Sequence, residues 1–161
     1  MAVTIELDFD SLEQLARQAD GMAQRAQDLT PVLKPRAESL RTVINDAFSD
    51  SQSPNDEAWP SLKPATVAKR RKGSRRPLVD TGLLRGSVRT EAGKGRVVFG
   101  VGGTAAGYAP FHQFGTKHIP RRAFLPTDAE GNAEFRRGPA RRWLDRTMQR
   151  VLRFILTGEL R

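Results

Sequence analysis

The stretch GSVRTEAGKGRVVFGVG, Gly86 to Gly102, decides the fold class. Downstream of Gly93-Lys94-Gly95, Val97, Val98, Phe99 and Val101 are the β-branched and aromatic residues that suit a pleated surface, and a matching run precedes the glycines. Glycine on both sides of Lys94 supplies the backbone freedom a tight reversal needs, so the stretch predicts a β-hairpin. Strongly helical patterns lie well before and after it. Strands and helices segregated in this way indicate an α+β fold rather than a doubly wound sheet, in which they would alternate.

Working upstream, residues 3–9 alternate strictly, with Val3, Ile5, Leu7 and Phe9 on one side and Thr4, Glu6 and Asp8 on the other. That period of two predicts an N-terminal half-buried strand. Ser11 and Gln14 have the spacing of a capping box, with Asp10 as a competing cap, and a helix is expected to follow. Its apolar stripe of Leu12, Leu15, Ala16, Ala19, Met22, Ala23, Ala26 and Leu29 is narrow and Ala-rich, suited to close packing on another helix. Gly21 weakens that helix by about 1 kcal/mol relative to Ala. Thr30-Pro31 restarts the chain, with Thr30 as the cap and Pro31 at the first helical position. The second helix carries Leu33, Ala37, Leu40, Ile44, Ala47 and Phe48, and so short a link predicts an antiparallel helical hairpin. Residues 49–56 are polar and read as a loop; Pro64 opens a short helix through Lys72, which Gly73 ends.

Downstream, YAPFHQFGTKHIPRRAFLP, Tyr108 to Pro126, concentrates aromatics, prolines and both histidines of the chain. Thr127 or Asp128 reads as the start of a helical turn. Pro139 begins a long amphipathic helix with Leu144, Met148, Val151, Leu152 and Ile155 on one face and Arg142, Arg146, Arg150 and Arg153 largely off it. No internal repeat interrupts the 161 residues, a length that suits one domain over 1–161 with one core. The expected architecture is therefore α+β: an N-terminal strand and helical hairpin, a small antiparallel sheet with a central β-hairpin, and the C-terminal helix.

Charge is the dominant global feature. Lys and Arg number 27 against 18 Asp and Glu, giving +9 and a pI near 10.9, a balance that attracts polyanions or acidic protein surfaces. Six basic residues, Lys69, Arg70, Arg71, Lys72, Arg75 and Arg76, crowd into eight positions, and this basic surface is expected to form a flexible insert at about 68–77. Arg136 to Arg153 holds seven arginines around one acid, Asp145. The chain has no cysteine, which excludes disulfides and thiolate chemistry. No apolar run approaches the ~20 residues of a membrane span, and the opening residues lack the pattern of a signal peptide, so no membrane partner is expected and synthesis in the cytoplasm is the default.

Candidate chemistry is thin. His112 and His118 lack a third ligand and a nearby carboxylate, since no Asp or Glu occurs between Glu91 and Asp128, so neither a metal nor another cofactor is expected. Ser87, His112 and Asp80 make a triad only on paper, without a nucleophile elbow. GVGGTAAGYAP, Gly100 to Pro110, lacks the Gly-Lys-Ser/Thr ending of a phosphate loop and reads as a strand end and a loop. No catalytic residue is assigned and the chain reads as a non-enzyme. The basic runs carry no recognition-helix or zinc-finger signature, which leaves nonspecific nucleic-acid binding as an alternative function.

Two series of residues resemble the virion morphogenesis proteins of phage Mu and related tailed phages. The first is Trp59-Pro60-x-Leu62-Lys63-Pro64-x-Thr66, then Lys69, Gly73, and Leu78-Val79-Asp80-Thr81-Gly82-Leu83-Leu84-x-x-Ser87-Val88. The second is Tyr108-Ala109, His112-Gln113-Phe114-Gly115-Thr116 and Ile119-Pro120-x-Arg122-x-Phe124-Leu125. With the helix that follows, the match covers about residues 30–155; the Arg-rich insert and Ala123 depart from the pattern. The resemblance implies a structural virion protein of the neck and tail that completes the tail and joins it to the head, usually as a ring, often sixfold. Adjacent tail-terminator and head-closure rings are the alternatives within the same neck. Its implied partners are further copies of itself, neighbouring neck and tail proteins, and phage DNA through nonspecific contact.

Under that resemblance the second series suits assembly. Tyr108, Phe111 and Phe114 fall at three-residue spacing on one aromatic face, with Phe111 or Phe114 expected to point inward. Gly115 ends the turn, and prolines hold the arm from Lys117 to Phe124 extended toward a neighbouring subunit. The expected interface set is Tyr108, Phe111, His112, Lys117, His118, Ile119, Arg121, Arg122 and Phe124. Asp80, Thr81 and Gly82 are expected to cap a short turn that Leu83, Leu84 and Val88 anchor in the core.

Overall fold

A computed structural model describes residues 9–71 and 74–160. The elements run α1 (Phe9–Gln27), α2 (Thr30–Asp50), α3 (Pro64–Ala68), α4 (Leu83–Gly86), β1 (Val88–Gly93), β2 (Arg96–Val101), α5 (Ala109–Gln113) and α6 (Gly138–Thr157), with a 3-10 turn at Gly103–Gly107. The architecture is α+β. The expected strand at 3–9 lies outside the described residues except for Phe9, which opens α1; Lys72 and Gly73 lie outside them too.

β1 and β2 pair antiparallel in the register Val88↔Val101 to Gly93↔Arg96, leaving a two-residue turn of Lys94 and Gly95. Gly95 has φ 68°, the left-handed conformation glycine adopts without a Cβ penalty. Val88, Thr90 and Ala92 share the inner face of the hairpin with Val101, Phe99 and Val97.

That face rests on α2, which lies between the hairpin and α6. All six apolar residues expected on α2 are buried, and Leu40, Ile44 and Phe48 are wholly inaccessible. The first turn is displaced by one residue. Leu29 is the N-cap and Thr30 the first helical residue, because Asp28 Oδ1 accepts the Thr30 N–H at 2.9 Å. Pro35 still lies close enough to the start to be tolerated. The helix continues through Ser49 and Asp50 and ends at Ser51 in the left-handed region, φ 56°.

Only Asp28 and Leu29 separate α1 from α2, yet α1 makes its extended contact with α6 rather than with α2. Arg25 fixes the crossing by donating from Nε to Ile155 O (2.8 Å) and from Nη2 to Leu156 O (3.2 Å). These are carbonyls of the last turn of α6, where a cation also complements the helix dipole. The first half of α1 is exposed throughout, including Leu12 and Leu15, so the apolar stripe expected to pack a helix is largely uncovered.

On α6 the buried line is Ala140, Trp143 and Thr147, flanked by the half-buried Leu144, Val151 and Ile155; Met148 and Leu152 are exposed. Hydrogen bonds set this rotation. Trp143 Nε1 donates to Arg36 O (2.9 Å) and Ser39 Oγ (3.0 Å), and Arg36 returns bonds from Nε to Thr147 Oγ1 (2.9 Å) and from Nη2 to Trp143 O (3.2 Å). Residues 127–133 form a small antiparallel bridge, Thr127 with Ala133, in place of the expected helical turn. Asp128 Oδ1 accepts the N–H groups of Glu130 and Asn132, closing the loop on itself.

Candidate functional site

The two sequence series, 20 or more residues apart, close on one cleft of 780 Å³. The first contributes Pro60, Leu62, Lys63 and Thr66 from the start of α3, and Asp80 to Leu84 from the start of α4. The second contributes Tyr108 and His112 from α5 and His118, Ile119, Pro120 and Arg122 from the segment beyond it.

Arg122 joins the two. Its guanidinium donates from Nε to Pro60 O (2.8 Å) and from Nη2 to Ser61 O (3.1 Å), its backbone N–H donates to His112 O (2.8 Å), and only 6% of the residue is exposed. Arg122 therefore closes the body instead of reaching toward a neighbour. Trp59 makes a second tie, Nε1 to Ala123 O at 2.8 Å. Phe124 is likewise corrected from arm to core: it is wholly buried, its ring 5.5 Å from Phe48.

Gln113 organises the turn out of α5. Its Oε1 accepts the N–H groups of Phe124 and Leu125 (both 3.0 Å), and its Nε2 donates to Leu125 O (3.1 Å) and Thr127 Oγ1 (2.7 Å). All four bonds come from one buried amide, which is why a polar residue sits at that depth. Gln113 stood in the second series without a role; its place between aromatic residues on a helical turn is the signal that marks it as inward-facing.

The aromatics divide differently from expectation. Phe111 and Phe114 both point outward, 51% and 42% exposed, whereas Tyr108 is half-buried beside His112, the rings edge-on at 6.0 Å. The helical turn is a single one, and Ala109 and Gln113 take its inner side.

Gly115 follows at φ 77°, and a Cβ there would sit 2.9 Å from Arg121 N, so both conformation and space demand glycine. Lys117, His118 and Arg121 are exposed on a turn that Thr116 pins, its Oγ1 accepting the N–H groups of His118 (3.2 Å) and Ile119 (3.0 Å). Arg121 faces Glu57 at 3.5 Å across the surface, a pair worth little to stability.

The cleft is positively charged at its base. Burial, then the charge of Arg122 and of Arg70, lowers the pKa of His112 from its ordinary value; burial, then Arg70, lowers that of Arg122. His112 Nδ1 is buried without a hydrogen-bond partner among the described residues. Arg70 is partly committed to the insert, donating from Nη1 to Val79 O (2.9 Å) and to Arg76 O, and Ser74 Oγ also donates to Val79 O (3.1 Å). Lys69, Arg71, Arg75 and Arg76 stand exposed around it.

At α4 the cap is Gly82 at φ 80°, while Thr81 Oγ1 accepts the Leu83 N–H (3.3 Å) and Asp80 Oδ1 accepts the Arg71 N–H (3.3 Å). Leu84 and Val88 anchor the turn in the core as expected; Leu83 instead is 48% exposed at the mouth of the cleft. Ser87 Oγ donates to Leu83 O (2.7 Å), which ties that hydroxyl into the helix. Among the described residues no three His, Asp or Glu side chains are grouped to hold a metal ion, and no helix is long and apolar enough to cross a membrane.

What these features define is an α+β body in which two remote sequence series are locked together, with Phe111, Phe114, Lys117, His118 and Arg121 turned to the surface beside them. The chain belongs to the phage virion morphogenesis family, whose model matches residues 10–155. It is thus a morphogenesis protein of a bacteriophage virion. No curated protein and no solved structure matches it.

Proposed function

We propose that this chain is a structural, non-enzymatic component that completes the phage tail and joins it to the head, acting as a ring of copies, six in number, in the neck. The observation that carries the reading is the exposed rim beside the cleft. Phe111, Phe114, Lys117, His118 and Arg121 stand on a turn held rigidly from behind by Gln113 and Arg122. Preorganised aromatics beside basic side chains are what interface centres favour, because little conformational entropy remains to be lost on docking. Tyr108, His112 and Ile119, lining the cleft behind that rim, would be covered by the same contact.

In-frame deletion of the gene tests the proposal by electron microscopy of the lysate. DNA-filled heads and finished tails lying unjoined are expected, with joining restored by the protein in trans. Joined, infectious particles without it would overturn the reading. Tails of irregular length would assign the chain to the terminator ring, and heads that lose DNA to the head-closure ring.

A second reading, nonspecific nucleic-acid binding, draws on one observation: Arg142, Arg146, Arg150 and Arg153 are all exposed on α6. Duplex DNA titrated across salt decides it, since phosphate contacts make affinity fall steeply with ionic strength.

A further inference from the structure

The outer edge of β2 is unpaired. The register of the hairpin and the bond from Gly102 N to Ser87 O (2.9 Å) turn the even-numbered residues of β2 toward β1. The N–H and C=O groups of Val97, Phe99 and Val101 therefore point away from it, and none has a partner among the described residues. Beside this edge runs a groove of 420 Å³ whose far wall includes Ala106, Ala109, Phe114 and Leu125. A bare edge next to an apolar trough is the arrangement into which an extra strand fits, backbone on the edge and alternate side chains in the trough.

The sequence holds one unassigned segment of matching pattern. Val3 to Asp8 alternates apolar and polar residues over six positions, the length of β2, and lies just ahead of α1. Set antiparallel with Val3 opposite Val101, it places Ile5 against Phe99 and Leu7 against Val97 on the trough side. Asp8 then meets Arg96 on the solvent side. Val3, Ile5 and Leu7 fall at the positions whose backbone groups face the free groups of Val101, Phe99 and Val97, so hydrogen-bond register and side-chain register agree. A one-residue slip would turn Thr4 and Glu6 into the trough instead. The exposed half of α1 carries the segment: a helix of 19 residues is about 28 Å long, and Arg25, which bonds α6, lies close to its other end.

We propose that residues 3–8 of one copy add as a third strand to the β2 edge of the next copy, linking subunits by strand exchange. The inference rests on the self-assembly reading above and specifies how neighbouring copies join. A chain without cysteine allows a clean test. In the proposed register residue 6 faces Val98 as a non-hydrogen-bonded pair, the geometry in which Cα atoms lie about 4.5 Å apart, within disulfide reach. Val98 is 53% exposed, so its substitution spares the core.

Two full-length chains of different tag size, one Glu6→Cys and one Val98→Cys, are mixed and oxidised. A heterodisulfide is expected, several-fold above that from Thr4→Cys mixed with Val98→Cys. Deletion of residues 2–8, with folding checked by circular dichroism, is expected to shift light scattering of the chain without cysteines toward monomer. An assembled chain that gives no heterodisulfide, or one that keeps its size without residues 2–8, overturns strand exchange alone. A disulfide that forms only within a Glu6→Cys/Val98→Cys double variant, never between chains, overturns it as well. A chain that is monomeric and uncrosslinked at every concentration overturns the ring reading together with it.

Discussion

At the scale of single residues, the site depends on groups that give up solvent to hold backbone. Arg122 spends its guanidinium on two carbonyls of the other series, so Arg122→Ala removes both ties between the series together with the packing of a side chain that is itself buried. It is expected to cost about 2–4 kcal/mol in urea denaturation. Arg122→Lys should recover little of that, since one ammonium cannot span both acceptors in the guanidinium's planar geometry. The aromatics give a sharper contrast: Phe124→Ala is expected to cost about 3–5 kcal/mol, while Phe111→Ala should change stability by no more than roughly 0.5 kcal/mol. If Phe111 belongs to the ring interface, Phe111→Ala lowers assembly without that loss of folding. His112 gives a pH signature. Its folded pKa is depressed by burial and then by Arg122 and Arg70, so the unfolded chain takes up a proton near pH 6.5 that the folded chain refuses. Stability is complete above that value and falls as pH drops below it, levelling off beneath the folded pKa; His112→Gln should flatten the profile. The sequence singled out these residues but did not show which way they faced. A single turn of helix has too little periodicity to fix direction, and Arg122, charged and flanked by Arg121, carries no sign that carbonyls from 62 residues away will claim it.

At the scale of elements, α2 and the hairpin were legible because their large apolar residues repeat with one period and nothing competes. α6 was legible as a helix but not in rotation. A stripe drawn through Leu144, Met148 and Leu152 maximises apolar content, yet Trp143 is the largest residue on the helix and its indole N–H bonds α2. Ala140 and Thr147 follow it inward, leaving the leucine edge outside. The seam should therefore behave as a polar unit. Replacing Arg36 or Thr147 by Ala removes the same side-chain bond, and Arg36 also lies 5.7 Å from the Trp143 ring. A double-mutant cycle on the pair is expected to return about 0.5–2 kcal/mol of coupling, measured by chemical denaturation; additive single effects would show that the two act independently. The partner of α1 was illegible because a two-residue link constrains distance but not direction. What decides it is Arg25 reaching carbonyls 130 residues later.

At the scale of the whole molecule, charge and apolar surface divide the protein into territories. Arg142, Arg146, Arg150 and Arg153 are exposed on α6, and Arg150 and Arg146 lie near enough to Arg36 to add to burial in lowering its pKa. The exposed aromatics and the open β2 edge belong instead to the part of the chain built from α5, β2 and the segment around Gly115, and the cleft lies where α5 and that segment meet the starts of α3 and α4. Subunits joined through that second territory would leave Arg142, Arg146 and Arg150 outside the contact, and six copies at +9 would repel one another unless polyanion or acidic protein lay close by. The arrangement predicts which charges DNA feels. Binding of short duplex DNA at low ionic strength should weaken linearly in log–log form as salt rises, each phosphate contact contributing a slope of about −0.9. Arg142→Gln, Arg146→Gln and Arg150→Gln together should then make the slope shallower by about 2–3. The same triple change in the basic insert, Arg71→Gln, Arg75→Gln and Arg76→Gln, separates the two candidate surfaces in one assay, because only the surface that meets phosphate changes the slope. The six substitutions fall on exposed side chains, so thermal unfolding should stay nearly constant. An unaltered slope in the α6 variant, with folding intact, would remove α6 as the DNA-facing side and leave its arginines for an acidic protein neighbour.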